Sequence, residues 1–378
     1  MDVSCVRGET AGIGWYVVNL LSGLERLDRD NQYLLYTFYA RSRKFALERG
    51  RLPSAANFRV LEKPIPFRLA RLLLESAAVR AESVIGPLDV FHALDHTAPQ
   101  LRDGRLVVTI HDLASLAHPG RQYTSPEFQG PRMSRVRALA ERADLIIAVS
   151  HHTKRDIERL LGISPAKIRV VYEAAEQRFK PLDSPTTLAA ARLQYHLPDR
   201  FVLFVGTLEP RKNIPVLLRA YDALIRGTQI EHKLVIVGRL GWSYGEVFKT
   251  IADLHLEKHV LWLGHVPRED LPVLYNLAAV FVYPSAYEGF GLPPVEAMAC
   301  GTPVVAPDNS CFPEVLGEAA MLVQSSDVHA LADGLCRMIA DDDLRARYAS
   351  LGIARAACFS WDSAAKETLD VYTEASRL

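Results

Sequence analysis

Two glutamates, Glu288 and Glu296, have seven residues between them in "YEGFGLPPVEAMACGTP" (287–303), two glycines and two prolines included. The stretch follows the apolar run "VFVYP" (280–284). Pro293 and Pro294 suit the first turn of a helix, where a missing amide proton costs nothing. That places Glu296 near a helix start and Glu288 in the loop before it. Gly289 and Gly291 leave backbone amides open to close approach by a ligand. Each acid alone has a plainer reading: a carboxylate is welcome in a first helical turn, and a loop acid faces solvent. A second group, Arg211 and Lys212, lies in "TLEPRKN" just after "FVLFVG" (201–206). Two cations leading into a helix suit a phosphate or diphosphate, and a solvated helix start is the alternative. His111 ends "LVVTIH" (106–111) and is expected to face a cleft, although a lone histidine is more often structural. Gly12 and Gly14, in "TAGIGWYVVNLL" (10–21), precede a helical pattern and could admit a phosphate or sugar.

Other motifs are excluded. The dinucleotide fingerprint fails because position 17 is Val, and no G-K-[ST] occurs, which removes a P-loop. Adjacent His151 and His152 diverge on a helix that Ser150 caps, with Lys154 one turn on, so they make a poor metal pair. "DRD" (28–30) and "DDD" (341–343) follow no apolar strand. No metal site is expected.

The elements that must position these groups alternate along the chain. Strands are predicted at 33–39, 57–61, 88–93, 106–111, 145–150 and 168–172, then at 201–206, 233–238, 260–264, 280–284, 303–306 and 320–323. Several are almost wholly apolar, as strands covered on both faces should be. Helical spacing, as in Val17, Leu20, Leu21 and Leu24, separates them. This rhythm means parallel sheets with crossover helices. Two tandem doubly wound α/β domains are therefore expected, over 1–178 and 179–360, with the polar, proline-bearing segment 176–188 as linker. Ligands of such sheets sit beyond the carboxyl ends of strands, where the groups above were found.

Composition agrees with a globular protein of two domains. The chain has 378 residues, 49% hydrophobic and 23% charged, with zero formal net charge. Nothing argues for nucleic acid. Apolar runs are too short to span a membrane, and no signal peptide is expected. Five scattered cysteines without a C-x-x-C pair fit a reduced cytoplasm.

The Glu288–Glu296 spacing resembles the E-x(7)-E signature of retaining GT-B glycosyltransferases, in the large class called family 4 (group 1). "VGTLEPRKNIPVLLRAY", "LWLGHVPREDLPVLYNLAAVFVYPSAYEGFGLPPVEAMACGTPVVA", "FSWDSAAKETLDVY", "TAGIGWYVVNLL" and "TIHDLASLAHPG" look like that family too, so the resemblance covers nearly the whole chain. "GTLEPRKN" looks most like mannosyltransferases of bacterial O-antigen and exopolysaccharide assembly. The resemblance implies a GT-B fold, an acceptor-binding first domain, a donor-binding second domain and a C-terminal helix 361–378 packing back on the first. Glu296 would bind the donor ribose and Glu288 the transferred sugar. Gly289 and the backbone amides around Phe290, Gly291 and Leu292 would hold the sugar and diphosphate. Lys212 would bind the diphosphate, with Arg211 replacing an arginine that many members carry where this chain has Thr207. Gly264, His265 and Val266 would lie near the base, His111 would approach the sugar, and Gly12 and Gly14 would let a loop close over the diphosphate. Members usually open with a full strand before that loop, whereas "MDVSCV" implies a short one.

The implied activity is front-face, configuration-retaining transfer of a hexose, mannose from GDP-mannose, onto a glycan or polyprenyl-diphosphate-linked acceptor. The nucleotide sugar is a substrate, and neither cofactor nor metal is implied. Rival readings are a GT-B epimerase or phosphorylase, which usually lack "EGFGLPPVEAM", and a non-catalytic nucleotide-sugar binder, expected to have lost Glu288, Lys212 or His111. Residues 41–80 hold ten Arg or Lys against three Glu. Within and just beyond that region, 67–84 reads either as a core-facing helix with a solvated face or as a peripheral contact with the inner face of the cell membrane.

Overall fold

Each of the twelve predicted apolar runs contains or overlaps a strand, and where each lies in its sheet decides where a ligand can bind. The computed structural model describes residues 1–6, 12–38, 47–63, 80–95, 97–121, 123 and 126–378, with side chains except at 38, 63 and 126–132. Most of the basic segment 67–84 lies outside the described residues; its end is Arg80 and a short helix, Ala81–Ile85. The chain divides into two compact units: Met1–Ala117, Pro126–Glu173 and Ser360–Leu378 form the first, and His118–Ser125 with Ala174–Phe359 the second. The change falls after Glu173, not after 178.

In the first unit, β1 (Tyr33–Phe38) pairs in parallel with β2 (Phe58–Lys63). β3 (Val90–Ala93), β4 (Arg105–Ile110), β5 (Leu145–Ala148) and β6 (Ile168–Val170) form a parallel sheet in that order. The short opening segment makes a single parallel bridge, Asp2 with Tyr36. The Val3 amide donates to the Tyr36 carbonyl at 3.0 Å. Helix α1 (Gly12–Leu27) buries Tyr16, Val17, Leu20, Leu21 and Leu24, the face its periodicity marked. The last helix of the chain, Trp361–Ser376, packs on it. Gly23 permits the contact, since a Cβ there would lie 2.7 Å from the Trp361 carbonyl oxygen.

The second unit is one six-stranded parallel sheet of order β12-β11-β10-β7-β8-β9. Its strands are β7 (Phe201–Val205), β8 (Lys233–Val237), β9 (Val260–Gly264), β10 (Val280–Val282), β11 (Val304–Pro307) and β12 (Met321–Val323). β7 is wholly buried, as a central strand covered on both faces requires. The order reverses direction between β7 and β10, and doubly wound sheets open a ligand crevice at that reversal, beyond the carboxyl ends of the two strands. The polar segment expected as a linker is only partly so: a helix, Pro185–Gln194, starts inside it. Ser184 caps this helix, accepting from the Thr187 amide, and a proline fills its first position. Among the described residues, no helix is long and apolar enough to cross a membrane.

Candidate functional site

The loops after β7 and β10 carry the candidate residues of the second unit. After β7 the chain passes Gly206 and Thr207, then makes one tight turn, Pro210–Lys212, before the helix Ile214–Gly227, here α2. Lys212 Nζ donates to Glu288 Oε1 at 2.6 Å and to the Tyr283 hydroxyl at 2.7 Å. Arg211 Nη1 donates to Glu288 Oε2 at 2.7 Å and to the Tyr287 carbonyl at 2.9 Å, and its Nη2 reaches Glu209 Oε1 at 3.1 Å. Ser285 Oγ adds a bond to Glu288 Oε1 at 2.6 Å. The Ser310 hydroxyl accepts from the Glu288 amide at 3.2 Å. Burial would raise the Glu288 carboxyl pKa, but the charges of Arg211 and Lys212 and the bonds from Lys212 and Ser285 outweigh it and hold it below the usual range.

The turn after Glu288 leads into α3 (Leu292–Ala299), whose cap Gly291 sits at φ +88°. A Cβ on Gly291 would lie 2.8 Å from the Phe312 ring, so glycine is required both for the angle and for the space. Pro293 and Pro294 have no N–H, so of the first-turn amides expected to hold a ligand, Leu292 is the one at the helix mouth. Phe290 is buried, 5.4 Å from the Phe359 ring centre.

Glu296 does not share the Glu288 network. It lies in the second turn of α3 and is 1% exposed, deeper than Glu288 at 8%. Both acids are buried beneath partners from neighbouring elements. Arg268 Nη2 donates to Glu296 Oε1 at 2.5 Å, and the Tyr275 hydroxyl to Oε2 at 3.2 Å. Arg268 Nε also binds Glu176, whose other oxygen takes Arg178 at 2.8 Å. Sequence reading missed Arg268, Glu176, Ser285 and Tyr283. Arg268 stands two residues past Val266 in "GHVPRED", and Glu176 was assigned to the linker. Of the expected base-side residues, Gly264 ends β9 with φ +70°, its carbonyl accepting from Gly238 at 2.7 Å. His265 is exposed and Val266 buried.

The remaining candidates belong to the first unit. His111 follows β4; its Nδ1 is 3.2 Å from Glu173 Oε1 and its Nε2 3.2 Å from the Leu94 carbonyl. Burial would lower its pKa, but the Glu173 bond and charge prevail and raise it. The Tyr16 ring packs against it edge to face, at 4.7 Å between centres. Gly12 and Gly14 were expected before a helix; both lie in the first turn of α1. The buried apolar face from Tyr16 onward carries helical geometry back through them. Among the described residues, no cluster of three or more His, Cys, Asp or Glu could hold a metal ion.

Comparison with known proteins meets this geometry from two sides. The family described as "Glycosyl transferases group 1" matches residues 190–355, and that described as "Glycosyltransferase Family 4" matches 10–176. O-antigen chain mannosyltransferase B of Escherichia coli is 34% identical over 291 residues, 75% of this chain and 74% of that protein. The serotype-specific mannosyltransferase WbdA of E. coli is 29% identical over 71% of this chain, which spans 33% of the length of that protein. Among solved structures, HepE of Anabaena in complex with UDP and glucose superposes with a TM-score of 0.74, covering 97% of each chain at 23% identity. That likeness speaks to fold, two doubly wound units of the GT-B class. Together with the 34% identical relative and the two family matches, it places the chain among the group 1, family 4 glycosyltransferases.

Proposed function

We propose that this glycosyltransferase moves mannose from GDP-mannose, with retention of configuration, onto a glycan or polyprenyl-diphosphate-linked acceptor in the assembly of a cell-surface polysaccharide. The observation that carries the reading is the convergence of Arg211 and Lys212 on Glu288 at the carboxyl ends of β7 and β10. When the sugar leaves a nucleoside diphosphate, negative charge grows on the departing phosphate. Two cations already fixed at that place stabilise it without reorganisation. Lys212 is 8% exposed, so its charge is poorly screened. Glu288 aligns the pair before the donor arrives and offers oxygen atoms to the sugar hydroxyls. A carboxylate held by two cations is a weak nucleophile, which supports a front-face transfer assisted by the leaving diphosphate over a covalent glycosyl-enzyme. His111 is assigned to the transferred sugar. Glu296 binds the ribose, and Leu292 with the neighbouring loop amides binds the diphosphate.

Mannose is supported by the likeness to O-antigen chain mannosyltransferase B; guanosine is part of the proposal and is what the donor panel below decides. No metal or cofactor enters this scheme. The site of action is the cytoplasm, at the inner face of the membrane, through the basic segment 67–84. The deciding experiment incubates the purified protein with GDP-mannose, UDP-glucose, UDP-galactose and UDP-N-acetylglucosamine, and follows release of nucleoside diphosphate. GDP-mannose is expected to turn over fastest. Turnover of a uridine donor alone overturns the choice of donor, and a product of inverted anomeric configuration, read by proton NMR, overturns retention.

A further inference from the structure

Glu296, assigned above to the ribose, stands at the centre of a buried charge cluster whose other members the proposed chemistry leaves unused. An ionised carboxylate at 1% exposure is costly unless paired and hydrogen-bonded. Here one oxygen takes Arg268 and the other the Tyr275 hydroxyl. The Tyr275 hydroxyl is held protonated by burial first and by the Glu296 charge second, so it faces Glu296 as a donor. Arg268 is itself fixed on three sides. Its Nη2 meets Glu296, its Nε meets Glu176, and its guanidinium lies 5.0 Å from the centre of the Phe179 ring. Arg178 holds the far oxygen of Glu176. A planar fork can serve two carboxylates and a ring together, whereas an ammonium cannot reproduce that geometry.

We infer that Arg268 is a positioning residue for nucleotide recognition: by bridging Glu176 and Glu296 it fixes the Glu296 carboxylate so that both oxygens can receive the vicinal hydroxyls of a ribose. A carboxylate offers about four lone-pair sites. Arg268 and Tyr275 occupy one on each oxygen, which leaves one on each for a hydroxyl. The two neighbouring hydroxyls of a ribose match two neighbouring oxygens. Arg268 therefore acts through Glu296 and not on the diphosphate, whose cations stand separately on Glu288. The inference rests on the ribose role proposed above for Glu296.

The test is calorimetric titration of the intact protein with GDP and UDP, each as the ribonucleotide and as the 2′,3′-dideoxynucleotide. The base that binds more tightly is used for the ratio of the two affinities. Wild type should favour the ribo form by about 10- to 100-fold, the range of one or two hydrogen bonds to a charged group. Glu296→Gln should bring that ratio close to one. Arg268→Lys should lower it about tenfold while leaving dideoxy affinity within a factor of about two. If Arg268→Lys proves unfolded by circular dichroism, Glu176→Gln carries the test, since it loosens Arg268 without touching Glu296. It too should lower the ratio. Equal loss of ribo and dideoxy affinity in either variant overturns the inference, because Arg268 then serves the diphosphate or only the fold. A wild-type ratio near one that Glu296→Gln leaves unmoved fails the ribose reading itself, and the inference falls with it.

Discussion

Glu288 and Glu296 are near neighbours in sequence, yet they sit in opposite electrostatic arrangements. Around Glu288, one carboxylate receives two cations, Arg211 and Lys212. Around Arg268, one cation receives two carboxylates, Glu176 and Glu296. With Glu209 on Arg211 and Arg178 on Glu176, each cluster holds two cations and two carboxylates, but in the first both cations converge on one point, which suits an incoming anion. The second has oxygen acceptors to spare and suits hydroxyl donors. A nucleoside diphosphate sugar presents both kinds of group, a charged diphosphate and a neutral ribose. The contrast teaches that two identical side chains flanking one glycine turn take different tasks from the charges their neighbours bring.

The largest effect should come from emptying the cationic side. Lys212→Met should lower turnover about 100- to 1,000-fold, as the loss of one preorganised stabiliser of a leaving charge does. Steady-state release of nucleoside diphosphate measures it, and a loss under tenfold would mean Lys212 is structural. The next effect separates the two acids. Glu296→Ala should weaken free nucleoside diphosphate and donor alike, by roughly 1.5–3 kcal/mol for a lost charged hydrogen-bond pair; Arg268 keeps Glu176 and is not orphaned. Glu288→Ala should act mainly on turnover and change free nucleotide affinity less than Glu296→Ala does. Equal losses of nucleotide affinity in calorimetry would show that the roles are divided wrongly.

A smaller effect is one of pH, and its sign differs between the two units. Glu288 has a folded-state pKa below its ordinary 4.5. Its pairing therefore contributes stability that is present above 4.5 and lost as the pH falls through the lowered value. His111 is raised above 6.5, so its pairing with Glu173 is fully present below 6.5 and lost as the pH rises through the raised value. Chemical denaturation at stepped pH should show Glu288→Gln flattening only the acid limb and Glu173→Gln only the limb above 6.5. Exchange of those two limbs would contradict the pairings described. The smallest expected effect is none: EDTA should leave turnover unchanged, since cationic side chains serve the diphosphate. Complete loss restored by Mg²⁺ or Mn²⁺ would show that a metal shares that work.

Much of this was legible in the residues. The apolar runs placed all twelve strands, because strands covered on both faces must be continuous in Val, Ile, Leu and Phe, a local demand. The glycines and prolines of 287–303 placed the start of α3 for an equally local reason, backbone geometry. Arg211, Lys212 and Glu288 were named from their positions after strands, and the structure joins them. Arg268 and Glu176 were not legible as partners of Glu296. They come from a turn after β9 and from a supposed linker, and nothing in local spacing links positions so far apart. Burial was not legible for the same reason: a carboxylate in a loop looks solvated until distant cations close over it.

What the sequence determined alone is therefore the alternation of strands and helices, the loops that carry charge, and the two acids flanking a glycine turn, since propensity, capping and apolar periodicity act within a few residues. What only the tertiary structure decided is the strand order β12-β11-β10-β7-β8-β9, and with it the partners. That order sets β7 beside β10, so cations after one strand meet the carboxylate after the other across 76 positions of chain. Contacts of that range depend on which strand edges pair in space, and on a buried charge finding the counter-charge that makes its burial affordable.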